Sequence, residues 1–446
     1  MATIDFDHQS LKRSLFQMTW PMLFGVLSLM SFQLADSAFI SQLGVDPLAA
    51  LGFTVPMYQL VIGLQVGLGI ATTAVIARTL GEGDPQRAAR LGGLVVMLGA
   101  LLVALLCLGL WLFRDAIMSG LGAPARLLPL ISSFWAPWLL AAWLGAMVYF
   151  GYSLSRSHGD TKLPGFLMVA TSLVNIALDP LFIFVFDWGL PGAAWATVVA
   201  FGGGCLVIYP RLLRRVWLSF ELQSLDFRPA LKQLFGIMGP AMLSQMMPAL
   251  SAMMATAIVA GFGAAAVGAW GLGTRLEFFS IVVVLALTMS VPPMVGRFLG
   301  AGQIDRIQSL VRLAVRFVLV WQVGVAAVWL LASGALSRLL SPEASVQDIL
   351  TEYLVLVPLS YTALGVCVLM VSVCNATGQP LRALLISVLR LFLCYLPLLW
   401  LGAQLSGITG LLTGAMLGNL AAGLLAWILY RQGMQQLLHN RQAKPA

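Results

Sequence analysis

Twelve runs of mostly apolar residues, each about 20 residues long or more and parted by Gly, Pro and charge, set the first limit on this chain. They fall at 14–40, 50–77, 91–113, 127–151, 163–185, 190–212, 233–258, 268–295, 311–333, 348–373, 382–403 and 408–430. A run of that length crosses a bilayer core ~30 Å thick as an α-helix, which bonds its backbone groups internally where water cannot. Composition agrees: 60% of the 446 residues are hydrophobic and 9% charged, with a mean hydropathy of +0.94. Soluble domains carry roughly 25% charged residues. The reading is an all-α integral membrane protein.

The net charge of +8 does not point to nucleic acid, because the basic residues are scattered through short loops. Twenty of the 25 Lys and Arg lie in the N-terminal segment, in or at the edges of the loops after even-numbered spans, and in the C-terminal tail. The opposite loops hold Arg114, Arg126 and Arg338, while Arg275 and Arg390 lie inside spans. The positive-inside rule then places both termini in the cytoplasm. Lys12-Arg13 leads into a span too long for the apolar region of a signal peptide, so the first span is expected to persist.

An internal repeat comes next. Pro21 and Pro240, Ala50 and Ala269, Gly52 and Gly271, Arg78 and Arg297, Gly81 and Gly300, Gly83 and Gly302, and Gly159 and Gly378 are each 219 residues apart. Arg78-Thr-Leu-Gly-Glu-Gly recurs as Arg297-Phe-Leu-Gly-Ala-Gly. Six spans per repeat give both halves the same topology, hence two six-helix lobes related by a pseudo-two-fold along the membrane normal. The basic stretch from Arg211 to Lys232 is the expected linker, which sets lobes of 1–222 and 223–446.

Embedded polar groups single out the first lobe. Asp179 sits inside the fifth span, where a charged side chain costs at least ~3 kcal/mol and by default marks a functional site. Asn175 lies one helical turn earlier on the same face, and Pro180 leaves the carbonyl of Ile176 without its usual donor. A carboxylate, an amide oxygen and a loosened carbonyl outline a proton or cation site. The competing reading is a neutral carboxyl held for packing alone. The repeat argues against it, since Asp36, Asn175 and Asp179 fall opposite Ala255, Cys394 and Leu398.

Depth supports convergence. At ~1.5 Å per residue, Asp179 lies about 24 Å from the cytoplasmic start of its span and Thr197 about 10 Å from the outer start of the sixth. Asp36 is late in the outward-running first span, so Asp36, Asn175, Asp179 and Thr197 can share one level. Pro21 breaks the hydrogen-bond ladder of that first span and favours a bend.

In the second half Glu277 is the one embedded acid, with Arg390 as its expected structural partner. The five cysteines show no paired spacing, and His8, His158 and His439 lie in tails or a loop. With no phosphate-cradling loop or nucleophile motif, neither an enzyme nor an ATP-driven pump is expected.

Twelve spans in two halves, Asp36-Ser-Ala-Phe-Ile-Ser-Gln-Leu-Gly and Ala269-Trp-Gly-Leu-Gly-Thr-Arg-Leu-Glu277 resemble the multidrug and toxic compound extrusion (MATE) family. Asn175-(x)3-Asp179-Pro180, with Thr197 after Gly192-Ala-Ala-Trp, resembles its DinF branch. The resemblance implies two bundles around a cavity that opens alternately to each side of the bacterial cytoplasmic (inner) membrane. It implies efflux of bulky, often cationic organic compounds in exchange for H+ or Na+. Asp36, Asn175, Asp179 and Thr197 match the coupling positions, and would be the metal ligands were Na+ the coupling ion. Pro21 matches the bending proline. No cofactor is expected beyond that ion, and the partners are small-molecule drugs, toxic organic cations and lipid, with the chain a monomer. A flippase for lipid-linked precursors is the alternative from the wider superfamily; it calls for a strongly cationic cavity, against two embedded arginines here. A non-transporting scaffold leaves the buried acids unexplained.

Overall fold

The computed structural model describes residues 10–221, 223 and 225–442; His8 lies outside them. The first half runs through α1 (Leu11–Ser41), α2 (Val45–Gly81), α3 (Pro85–Leu112), the short α4 (Arg114–Gly120), α5 (Leu128–Ser157), α6 (Lys162–Pro180) and α7 (Gly189–Arg214). After α8 (Phe227–Ala260) come α9 (Ala264–Ser280), α10 (Val282–Gly300), α11 (Ile304–Leu340), α12 (Ala344–Leu356), α13 (Tyr361–Ala376), α14 (Pro380–Leu389) and α15 (Leu396–Gln442). π-helical turns follow α6 (Leu181–Val185) and α14 (Arg390–Tyr395).

These elements make twelve membrane-length passes among the described residues. Several passes are compound. α9 and α10 form one pass broken at Ile281, and α12 and α13 form another, joined by a 3-10 turn at Val357–Ser360 that contains Pro358. α15 holds parts of two passes, because Gly407 at φ 63° reverses the chain.

The repeat is visible in the turns. Gly83 (φ 85°) and Gly302 (φ 79°) both occupy the left-handed region, which costs glycine little, and Gly159 and Gly378 do the same. Asp84 then caps α3 by accepting from Arg87 N (2.9 Å), with Pro85 at the first helical position.

Contacts gather the chain into two compact units, Met1–Met242 and Leu243–Ala446. The division falls within α8. Within the first unit Gly67 of α2 lies close to the start of α8, a Cβ there standing only 3.0 Å from the Met238 carbonyl oxygen.

In the first unit α1 packs on α6, while α5 packs on α2 and α7. The helices are tied together at the end of α6 remote from Asp179. Asp160 caps α6 through Lys162 N (3.0 Å) and Leu163 N (3.1 Å), and its other oxygen pairs with Arg215 beyond α7 (2.7 Å). Arg215 lies over Trp217, which also stacks on the His158 ring (4.6 Å). In the second unit, Gly410, Gly414 and Gly418 recur every four residues and meet the backbone of Gly402, Leu398 and Tyr395. That small-residue stripe lets the two arms of the α15 hairpin close without a hydrophobic driving force between them.

Candidate functional site

The site is assembled by three helices of the first unit. α6 presents Ser172, Asn175 and Asp179 on one face, all buried, with Asp179 fully inaccessible. The helix gives way to the π-turn immediately after Pro180, where Phe186 N bonds Leu181 O (2.9 Å), five residues back. Proline removes the donor an α-helix needs there, and the wider turn takes up the mismatch.

Phe186-Asp187-Trp188 then leads straight into α7. Gly192 sits so close to the π-turn that a Cβ would lie 2.7 Å from the Phe182 carbonyl oxygen. This contact, with Ala193 and Ala194 beside it, brings Thr197 against α6. Phe182, Phe186 and Trp188 pack together at 5.1–5.6 Å at this end.

Asn175 lies between the other two polar groups. With its amide oriented to suit its neighbours, its nitrogen donates to Asp179 Oδ2 (2.9 Å) and its oxygen accepts from Thr197 N (3.1 Å) and Thr197 Oγ1 (3.0 Å). Asp179 Oδ1 has no hydrogen-bond partner among the described residues, and neither does Ser172 Oγ.

α1 delivers Asp36 to the same place. The α1–α6 seam is close along its length, and beyond Asp36 the Phe39 ring meets Phe184 of the π-turn (6.4 Å). Asp36 is near enough for its charge to act on Asp179 and on Tyr58 of α2. Its Oδ1 is also buried without a partner. Asp36, Asn175, Asp179 and Thr197 thus form one cluster with two open carboxylate oxygens. Sequence reading missed Ser172 and Tyr58. Ser172 was legible in principle, being three residues before Asn175 and seven before Asp179 on one face; Tyr58 comes from a separate helix with no periodic signal.

Pro21 lies outside the cluster, within α1, which continues unbroken past it. Its carbonyl abuts Gly165 of α6, and Gly25 one turn on abuts Met168.

Glu277 forms a separate centre in the second unit. Its bonded partner is Tyr353, whose hydroxyl donates to Glu277 Oε2 (3.2 Å); Gly273 leaves room for that ring. Arg390, Tyr361 and Tyr395 stand within electrostatic reach of the carboxylate. The expected Glu277–Arg390 association is therefore long-range, with a tyrosine making the direct bond. Among the described residues no three His, Cys, Asp or Glu gather as a metal site.

The MatE family profile matches the chain twice, over residues 21–181 and 240–401, the two starts separated by the repeat length. The chain belongs to the MATE family. MATE relatives span nearly its whole length. The FAD transporter of Shewanella oneidensis is 32% identical, covering 94% of each chain. The multidrug export protein MepA of Staphylococcus aureus is 22% identical, covering 95% of each. Among solved structures, the Vibrio cholerae MATE transporter VcmN in the bent form has 54% sequence identity and a TM-score of 0.94, covering 96% of this chain and 97% of that one. A MATE transporter in the straight conformation matches with a TM-score of 0.91 at 21% identity, which speaks for the fold alone. This MATE protein is a multi-pass membrane transporter with twelve transmembrane helices in two six-helix lobes.

Proposed function

We propose that the chain is a secondary active exporter, moving bulky and often cationic organic compounds out of the cell in exchange for H+ or Na+. The observation that carries this reading is the pair of open carboxylate oxygens, Asp36 Oδ1 and Asp179 Oδ1, each buried without a partner on the packed membrane-spanning helices α1 and α6. Two carboxylates in a dry pocket cannot both carry charge cheaply, so the site is stabilised by taking up a proton or a cation. A site that empties before it can accept a cationic cargo, and fills to expel it, exchanges one for the other.

The Asn175 amide ties Asp179 to Thr197 and so fixes one carboxylate oxygen while leaving the other open. The relatives named as multidrug export proteins support organic drugs as cargo. The relative named as an FAD transporter, at 32% identity, supports flavin nucleotides as a second cargo class. The basic-loop bias supports cytoplasmic termini in the bacterial inner membrane.

The test is uptake into everted vesicles from a host lacking its own pumps, with an imposed pH or Na+ gradient, using a cationic dye and FAD in parallel. Dye uptake driven by one of the two gradients is expected, and which gradient drives it identifies the coupling ion. Uptake of neither compound under either gradient would sink the proposal.

A further inference from the structure

A groove in the second unit takes no part in the site above. It measures about 420 Å³ and lies between α11 and α15, lined by Gln308, Arg312, Trp427, Tyr430, Arg431 and Met434. α11 and α15 each pack on α13, which leaves the space between them open. Tyr430 and Met434 are buried and make the floor, while Arg312 and Arg431 are exposed on the two rims.

The arginines are placed and unpaired. Arg431 lies over the Trp427 ring (5.7 Å), which packs on Tyr430 (5.4 Å), and Arg312 Nε donates to the Gln308 carbonyl (3.3 Å). Among the described residues neither guanidinium forms an ion pair, and no carboxylate lines the groove. Asp305, at the start of α11, pairs with neither.

The surroundings place the groove at a membrane boundary. Arg382 bonds Gln436 (2.7 Å) and Gln379 bonds the Gly433 carbonyl (3.1 Å), so the basic turn after α13 lies at the same end. Going the other way, the Arg312 face of α11 continues through Leu319 and Val320 (75% exposed). The Arg431 face of α15 continues through Leu424 (63% exposed) and Leu420. A cationic rim with Trp and Tyr beside it, grading into apolar strips on both helices, matches the profile of one bilayer leaflet from headgroup to acyl chain.

We propose that this groove binds the headgroup of an anionic phospholipid, its phosphate held between Arg312 and Arg431. Two guanidinium groups lining one groove suit the several oxygens of a phosphodiester, and an unpaired pair at an interface needs such a counter-charge. A zwitterionic lipid fits less well, because nothing in the lining offers a carboxylate to its ammonium group. The apolar strips add affinity only for a phosphate carrying acyl chains. The assignment is independent of the transport reaction.

Native mass spectrometry of the detergent-purified full chain, titrated with phosphatidylglycerol and phosphatidylcholine, tests it. At ~1 kcal/mol per arginine, wild type is expected to prefer phosphatidylglycerol by about thirtyfold more than the Arg312→Gln/Arg431→Gln variant does. Arg114→Gln/Arg338→Gln, removing equal charge elsewhere, is expected to keep the wild-type preference. Equal preference in wild type and the groove variant overturns the site. So does displacement of the lipid by millimolar inorganic phosphate, which would mark a free-anion site. If the glutamine pair does not fold, Arg312→Lys/Arg431→Lys answers instead: a several-fold weaker preference is expected, and an undiminished one overturns the proposal.

Discussion

Gly165 of α6 meets the carbonyl oxygen of Pro21 on α1 so closely that a Cβ would stand 2.5 Å away. Pro21 also leaves the Gln17 carbonyl without its helical donor, so α1 has a weakened ladder where it is held most tightly. Beyond that point the same helix runs out to Asp36. The N-terminal part of α1 is clamped by a glycine-lined seam, and the C-terminal part carries the carboxylate.

Filling the seam tests the clamp. Gly165→Ala forces a methyl group against backbone, which cannot yield as a flexible side chain does, so a loss of about 1–3 kcal/mol is expected. The thermal melt of the purified protein reads it directly. An unchanged melt would mean that α1 lifts off α6 at no cost.

Restoring the ladder separates bending from binding. Pro21→Ala returns the hydrogen bond and stiffens α1, so efflux should fall while H+ uptake by the protein persists. Distances between spin labels on either side of residue 21 should change with pH in wild type and not in the variant. A variant that pumps normally would show that α1 keeps one shape through the cycle.

Charge removal at the cluster is the sharpest functional test. Asp36→Asn and Asp179→Asn alter shape little and should each reduce efflux to background at normal protein levels. Asn175→Ala should add a stability cost of about 1–3 kcal/mol, because the buried Asp179 Oδ2 loses its donor. Wild-type drug resistance in either carboxylate variant at matched expression would move the coupling site elsewhere.

The second unit gives a contrast. Glu277 is bonded by Tyr353 and lies in the reach of Arg390, so Glu277→Gln should keep most transport and lower the melting temperature modestly. Tyr353→Phe should lower it as well. Abolished transport with a normal melt would give Glu277 a share in coupling.

Features that depend only on a residue's own stretch were legible in the amino-acid order. Apolar run length called for membrane helices, and the 219-residue spacing laid out two halves. The Gly83/Gly302 and Gly159/Gly378 pairs marked matching turns. Helical spacing put Asn175 and Asp179 on one face, since neighbours one turn apart need no other part of the chain. Tertiary structure decided the rest. Thr197 reaches Asn175 across 22 residues because a π-turn replaces the bond lost at Pro180 and Gly192 admits the Phe182 carbonyl. Tyr353 takes the Glu277 bond from 76 residues away, where charge pairing had suggested Arg390. The Arg312–Arg431 groove arises only because α11 and α15 both lean on α13. Periodicity and turn chemistry are written locally, but which faces meet is set by how closely small residues let helices approach, and that is a property of the packed chain.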